Sequence, residues 1–179
     1  KDRVSESRIP TIDLQGADAL LLCDASEHNA DLYWATDLMA PDPFHYLCDG
    51  KRSIVLMKDL ELDRARDQSC CEVLAYSGFE PATGESGDAL HNALSELGYK
   101  HLLVPAEFPL GIANKLVAAG FQLTTAGTPL FTERAIKTAS QIDAVASTQA
   151  AAEASMQAAV DALTQARIDA DQLWLDGEP

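Results

Sequence analysis

The apolar positions of this chain fall first into short runs and then into one long, thin helical pattern. "ADALLLCD" (Ala17 to Asp24) is an apolar run ending in turn formers, the signature of a buried strand. "FHYLCDGKRSIVLM" reads as a hairpin: strand Phe44 to Cys48, turn Asp49-Gly50, strand Arg52 to Met57. Asp-Gly is a strong turn signal. "KDLELDRARDQ" predicts a short helix capped by Asp59, and "CCEVLAYS" a further strand. Asp88 is placed to cap the helix "ALHNALSELG", where Leu90, Leu94 and Leu97 share a face and Gly98 follows as the C′ residue. "KHLLVP" is a strand, and "PLGIANKLVAAG" a helix between Pro109 and Gly120. "FQLTTAG" and "TPLFTERAIK" read as extended pieces. "HNADLYWATDLMAPDPF" mixes aromatics with Asp, Asn and prolines, and predicts an irregular loop with a short strand at Leu32 to Thr36. Strands and helices thus alternate over residues 17–137, which defines an α/β layer domain. The antiparallel hairpin makes its sheet mixed.

The long pattern follows. Thr138 and Gln141 form a capping box, in which the threonine oxygen accepts from the Gln141 amide and the glutamine reaches back. No Gly or Pro interrupts Ala139 to Asp176, and alanine is abundant. A helix from Thr138 to Ala170 would span roughly 50 Å. Its inward stripe is Ile142, Val145, Ala152, Met156, Ala159, Leu163, Ala166 and Ala170, broken by Gln149. A coiled coil prefers bulkier residues at such positions. The stripe is expected to lie closely on a large neighbour; the alternative is a helix that is only partly packed.

Composition narrows the function classes. About half of the 179 residues are apolar, which argues against disorder. Thirteen basic against 28 acidic residues leave a net charge of −15, so neither nucleic acid nor an anionic membrane is an expected partner. No apolar run approaches membrane-spanning length. The opening "KDRVSESRIP" is polar and has no signal-peptide pattern, so a cytoplasmic location is expected. The four cysteines, Cys23, Cys48, Cys70 and Cys71, form no zinc-type spacing and are expected to be reduced thiols. Neighbouring Cys70 and Cys71 would point to opposite faces of an extended chain.

Candidate chemistry is sparse. His28, His45, His91 and His101 make no helical metal pair. In His45-x-x-Cys48 the two side chains face opposite ways on a strand. There is no GxSxG elbow, phosphate loop or GxGxxG, and no cysteine at a helix start where its pKa would fall. No catalytic residue and no metal ligand is therefore assigned. One segment stands apart: Asn29, Tyr33, Trp34 and Thr36 cluster just beyond the first strand, where α/β sheets place their sites. They are the candidates for a substrate mouth or an interface. The competing reading is that Tyr33 and Trp34 alternate across a strand, one of them in the core.

"GADALLLCD" followed by "NADLYWAT" resembles the N-terminal, non-catalytic domain of the creatinase/prolidase/Xaa-Pro aminopeptidase family. That pattern is a strand opening Asp-(Ala/Gly)-Leu, then Asn-x-x-Tyr-Leu-Thr-Gly. Asp18, Ala19, Leu20, Asn29, Tyr33 (one residue late) and Thr36 carry the match, and Asp37 stands where the family usually has Gly. "RAIKTASQI" is similar to the family's Arg-x-Ile-Lys-Ser-x-x-Glu-Ile, which opens the catalytic domain, through Arg134, Ile136, Lys137 and Ile142. The resemblance implies a ribonuclease H-like mixed sheet of about six strands flanked by helices. It divides the chain into an α/β domain (1–133) and a linker with the first helix of the catalytic domain (134–179). It implies a non-catalytic accessory role in dimerisation and active-site access. The parent would be a metal-dependent Xaa-Pro aminopeptidase or prolidase acting on peptides, or a creatine amidinohydrolase or related lyase taking a small amidino substrate. The family's two divalent ions (Mn, Zn or Co) are held by residues outside this sequence, so this part carries no cofactor. The rival readings are a stand-alone α/β binding or signalling module with a helical dimerisation stalk, and an independent hydrolase using Cys23 or Cys70.

Overall fold

The computed structural model describes residues 8–79, 89–169 and 172–175. The chain forms two compact units that divide between Arg134 and Ala135.

In the first unit, six strands make one sheet: β1 (Ala19–Asp24), β2 (Phe44–Cys48), β3 (Ser53–Met57), β4 (Glu72–Ala75), β5 (His101–Val104) and β6 (Gln122–Thr125). Their order is β4-β3-β2-β1-β5-β6. β2 runs antiparallel to both its neighbours, and the β3–β4, β1–β5 and β5–β6 pairs are parallel. The mixed sheet follows from the tight Asp49-Gly50 turn. Gly50 takes a φ of 80°, and Asp49 Oδ1 accepts from the Lys51 and Arg52 amides.

Both faces of the sheet are covered, which is why its central strands read as continuous apolar runs. Leu20, Leu22, Tyr46, Val55 and Leu103 face one core, shared with Leu32 and Ala35 of α1 (Ala30–Thr36) and Ala65 of α2 (Leu62–Gln68). Leu21, Leu47, Ile54 and Leu102 face the other. There they meet Leu90 and Leu94 of α3 (Ala89–Glu96) and Leu116 of α4 (Leu110–Ala118).

Several local expectations are corrected. Leu32 to Thr36 is not a strand but part of α1. Asn29 caps that helix, its Oδ1 accepting from the Asp31 and Leu32 amides at 3.1 and 3.0 Å. Leu32, Ala35 and Thr36 then recur at helical spacing and are buried. Asp59 does not cap α2. It opens a 3-10 turn, Asp59–Glu61, and accepts from Ser77 Oγ at 2.7 Å. The expected cap Asp88 lies outside the described residues. "TPLFTERAIK" is not extended throughout: a cis Thr128–Pro129 bond precedes a 3-10 turn, Thr132–Ala135. The chain is not extended at Cys70 and Cys71 but bends at both residues, and both sulfurs reach the Ala35 carbonyl.

In the second unit, α5 (Ala139–Gln165) runs for 27 residues from the expected capping box. It stops short of Ala170. Ala166 leaves the helix with extended dihedrals, and β7 (Arg167–Asp169) pairs antiparallel with β8 (Gln172–Trp174). The Arg167 guanidinium lies 5.9 Å from the Trp174 ring across this hairpin. No described residue of α5 is buried.

Candidate functional site

β1 and β5 are parallel neighbours whose following helices go to opposite faces: α1 to one core, α4 to the other. Such a switch in topology opens a crevice at the C-terminal ends of the strands. A cavity of about 250 Å³ lies there. Asp24, at the end of β1, and Asn29 and Asp31, at the start of α1, line one side. Glu107 and Phe108, after β5, and Thr128 and Leu130, after β6, line the other.

The polar wall is held by its own hydrogen bonds. Asp24 Oδ1 accepts from the Ala25 amide at 2.8 Å, and Oδ2 from Asn29 Nδ2 at 3.0 Å. Asn29 therefore both caps α1 and fixes the Asp24 carboxylate. Asp31 Oδ1 accepts from Arg134 Nη1 at 2.5 Å, which ties α1 to the end of the unit. The cavity lining combines the apolar Leu22 and Phe108 with the carboxylates of Asp24, Asp31 and Glu107. That balance disfavours an anionic ligand and suits a neutral or cationic one. Among the described residues, no group of three or more His, Cys, Asp or Glu side chains is arranged for a metal ion.

The four sequence candidates separate. Asn29 lines the cavity. Tyr33 is exposed on α1 at 43%. Trp34 is half-buried: its ring stacks at a tilt on Phe131, centroids 5.2 Å apart, and the Arg8 guanidinium sits 5.1 Å from it. Arg8 also donates to the Trp34 carbonyl. Thr36 is fully buried. Its Oγ1 donates to the Leu32 carbonyl at 2.8 Å and accepts from the Leu38 amide at 3.3 Å. Thr36 thus finishes the helix and presents nothing to a mouth or an interface. Asp37 adopts the left-handed region (φ 52°), a backbone conformation that favours glycine and that an aspartate meets here.

The register also creates a neighbour relation that sequence spacing hid. Cys23 stands directly opposite His45 on the β1–β2 ladder. Burial, and then the adjacent Asp24, push the Cys23 thiol up to about 11. His45 Nδ1 is bonded to the Tyr76 hydroxyl. A thiol held protonated beside an engaged imidazole is unsuited to nucleophilic catalysis at neutral pH.

No protein-family model matches this chain, and no curated protein matches it in sequence. Solved structures share its fold. A prolidase from Pyrococcus horikoshii OT3 is 17% identical with a TM-score of 0.62, over 86% of this chain and 41% of its own. A prolidase from Pyrococcus furiosus is 13% identical with a TM-score of 0.63, over 86% and 42%. An X-Pro aminopeptidase from Thermotoga maritima MSB8 is 16% identical with a TM-score of 0.61, over 85% and 42%. This chain therefore spans about two fifths of the length of these peptidases. Its central mixed sheet flanked by helices is a fold that they contain.

Proposed function

We propose that this chain is the non-catalytic accessory domain of a metal-dependent Xaa-Pro aminopeptidase- or prolidase-like hydrolase, with the first helix of its catalytic domain attached. The observation that supports this is the shared fold, which takes in 86% of this chain and only about two fifths of each prolidase. In this reading the α/β unit contributes to homodimerisation and walls the active-site mouth. The exposed Tyr33 and the rim of the switch-point cavity are its contact surfaces. The rigid base is α1, clamped by Asn29 at its start and by Thr36 and Asp37 at its end. The two divalent ions (manganese, zinc or cobalt) and the peptide or small amidino substrate would be bound by residues outside this sequence. The setting is cytoplasmic.

The test begins with the encoding locus. A reading frame that continues beyond Pro179 into a second domain with spaced Asp, Asp, His, Glu and Glu supports the proposal. A stop codon directly after Pro179 overturns it. The full-length product is then assayed on Xaa-Pro peptides with added Mn²⁺, and its assembly state is measured by sedimentation. Turnover by a dimer is expected, whereas the chain studied alone should have none.

A further inference from the structure

The turn Ser69–Cys71 is latched onto the last residues of α1. Ser69 Oγ and the Cys70 amide donate to the Thr36 carbonyl at 2.9 and 3.1 Å. Cys70 Sγ and Cys71 Sγ each donate to the Ala35 carbonyl, both at 3.4 Å. The last carbonyls of a helix lack intrahelical partners, and these groups satisfy two of them. The same contacts bring two neighbouring thiols onto one point. Cys70 is buried, and Cys71 is half-buried against the apolar core beside β4.

Two converging thiols invite either a direct bond or a shared ligand. Geometry decides between them. Cys70 and Cys71 are joined by a trans peptide, since the described chain has its one cis bond at Thr128–Pro129. Adjacent Cα atoms across a trans peptide are about 3.8 Å apart, well short of the usual disulfide range of roughly 4.4–6.8 Å. A ring closed through an inserted atom relieves that shortage. The site supplies two sulfurs, and no third His, Cys, Asp or Glu is grouped with them for a metal among the described residues. Cys71 packs against the apolar core, although Arg8 and Asp37 lie near Cys70, so an uncharged product carries the smaller desolvation cost.

We propose that Cys70 and Cys71 form a chelating site for a trivalent organoarsenical, a thiophilic electrophile whose arsenic takes two sulfurs and keeps one carbon substituent. The exchange balances without oxidant or reductant. From R–As(OH)₂, two As–O bonds break and two As–S bonds form, and the two thiol protons leave with the oxygens as two waters. The dithioarsenite is neutral. Cys70, the sulfur more readily ionised, attacks arsenic first, and Cys71 closes the ring. Hydrogen bonding from the neighbouring Cys71 thiol lowers the Cys70 thiol, which favours Cys70 as the first nucleophile. Chelation removes both S–H donors from the Ala35 carbonyl and so loosens the end of α1.

The test uses the reduced, folded chain with one equivalent of phenylarsine oxide, read by native mass spectrometry. One phenylarsenic group per chain is expected, resistant to excess glutathione and stripped by 1,2-ethanedithiol. Cys70→Ser and Cys71→Ser should each weaken retention by roughly 10²-fold, because the second thiol acts at high effective concentration. Cys23→Ser should retain the group in full, and circular dichroism checks the fold of each variant. Amide exchange at Asp37 and Cys70 should accelerate in the adduct. An adduct that glutathione removes from the folded wild type overturns the proposal. So does one that persists undiminished in the Cys70→Ser/Cys71→Ser chain, or one that appears only after denaturation.

Discussion

The Asp37 amide donates to the Tyr33 carbonyl at 2.8 Å, closing α1 from a left-handed backbone at φ 52° and ψ 14°. Glycine occupies that region without steric cost, and aspartate is among the few other residues that visit it. Asp37→Gly should preserve stability within about 1 kcal/mol. Relief at the backbone is offset by loss of the solvent-exposed Arg8–Asp37 pair at 3.3 Å. Asp37→Val should cost about 1–2 kcal/mol, since a β-branched side chain clashes in this region. Urea denaturation of both variants separates the cases. Equal losses would assign the role of Asp37 to its carboxylate rather than to its backbone.

Trp34 and Tyr33 are adjacent but do different work. Trp34 packs on Phe131, a residue only 2% exposed, whereas Tyr33 faces out. Trp34→Ala should cost about 3 kcal/mol, the lower end for a large aromatic because the ring is half-buried. Tyr33→Ala should change stability by less than about 0.5 kcal/mol. Denaturation midpoints of the two variants check this. An unchanged midpoint for Trp34→Ala would show that the Phe131 contact contributes little to folding.

The sheet was legible because burial on both faces writes strands as apolar runs, as in "ALLLC", "SIVLM" and "HLLV". α1 was misread because it is only two turns long and carries two aromatics of modest helix propensity. The available signal was Asn29 followed by Leu32, Ala35 and Thr36 at helical spacing. The end of α5 was overrun because no Gly or Pro marks it. Ile168 and the facing Arg167 and Trp174 were the quieter signs of a hairpin. Asn29, one of the sequence candidates, lines the cavity, but the cavity itself is not readable in the sequence, because that space is assembled from the ends of three strands far apart along the chain. The Cys23–His45 pairing depends on strand register, and the Cys70–Cys71 convergence on the bends at those two residues. Neither is encoded in residue spacing.

Thr138 carries the start of α5 by a reciprocal pair of bonds. Its Oγ1 accepts from the Gln141 amide at 3.3 Å, while Gln141 Oε1 accepts from the Thr138 amide at 3.0 Å. Thr138→Ala should destabilise the helix by about 1 kcal/mol, and Thr138→Ser should largely retain it. Hydrogen exchange at Ser140 and Gln141 reports the loss directly. Equal protection in the Ala and wild-type chains would show that the box is dispensable.

Asp18 clips the beginning of β1 to the beginning of β5. One carboxylate oxygen accepts from the Lys100 and His101 amides at 2.7 and 2.8 Å, and the Asp18 amide donates to the His101 carbonyl at 2.8 Å. The backbone bond from His101, and then that from Lys100, hold the carboxyl below the ordinary value of 3.8. The folded pKa is thus lower than the unfolded one, and folding favours the ionised form. The stabilisation is fully present above the unfolded value and is lost as pH falls through the folded value. Asp18→Asn keeps an acceptor for both amides but removes the charge; Asp18→Ala removes both. At neutral pH the order of stability should be wild type, then Asn, then Ala. As pH drops below 3.8, the gap between wild type and Asn should close. Asp49 is also depressed and titrates in the same window, but it is common to all three chains and cancels in the difference. Urea titrations at a series of pH values provide the measurement. A gap between wild type and Asn that stays constant into acid would assign the clip to geometry alone and remove charge from its account.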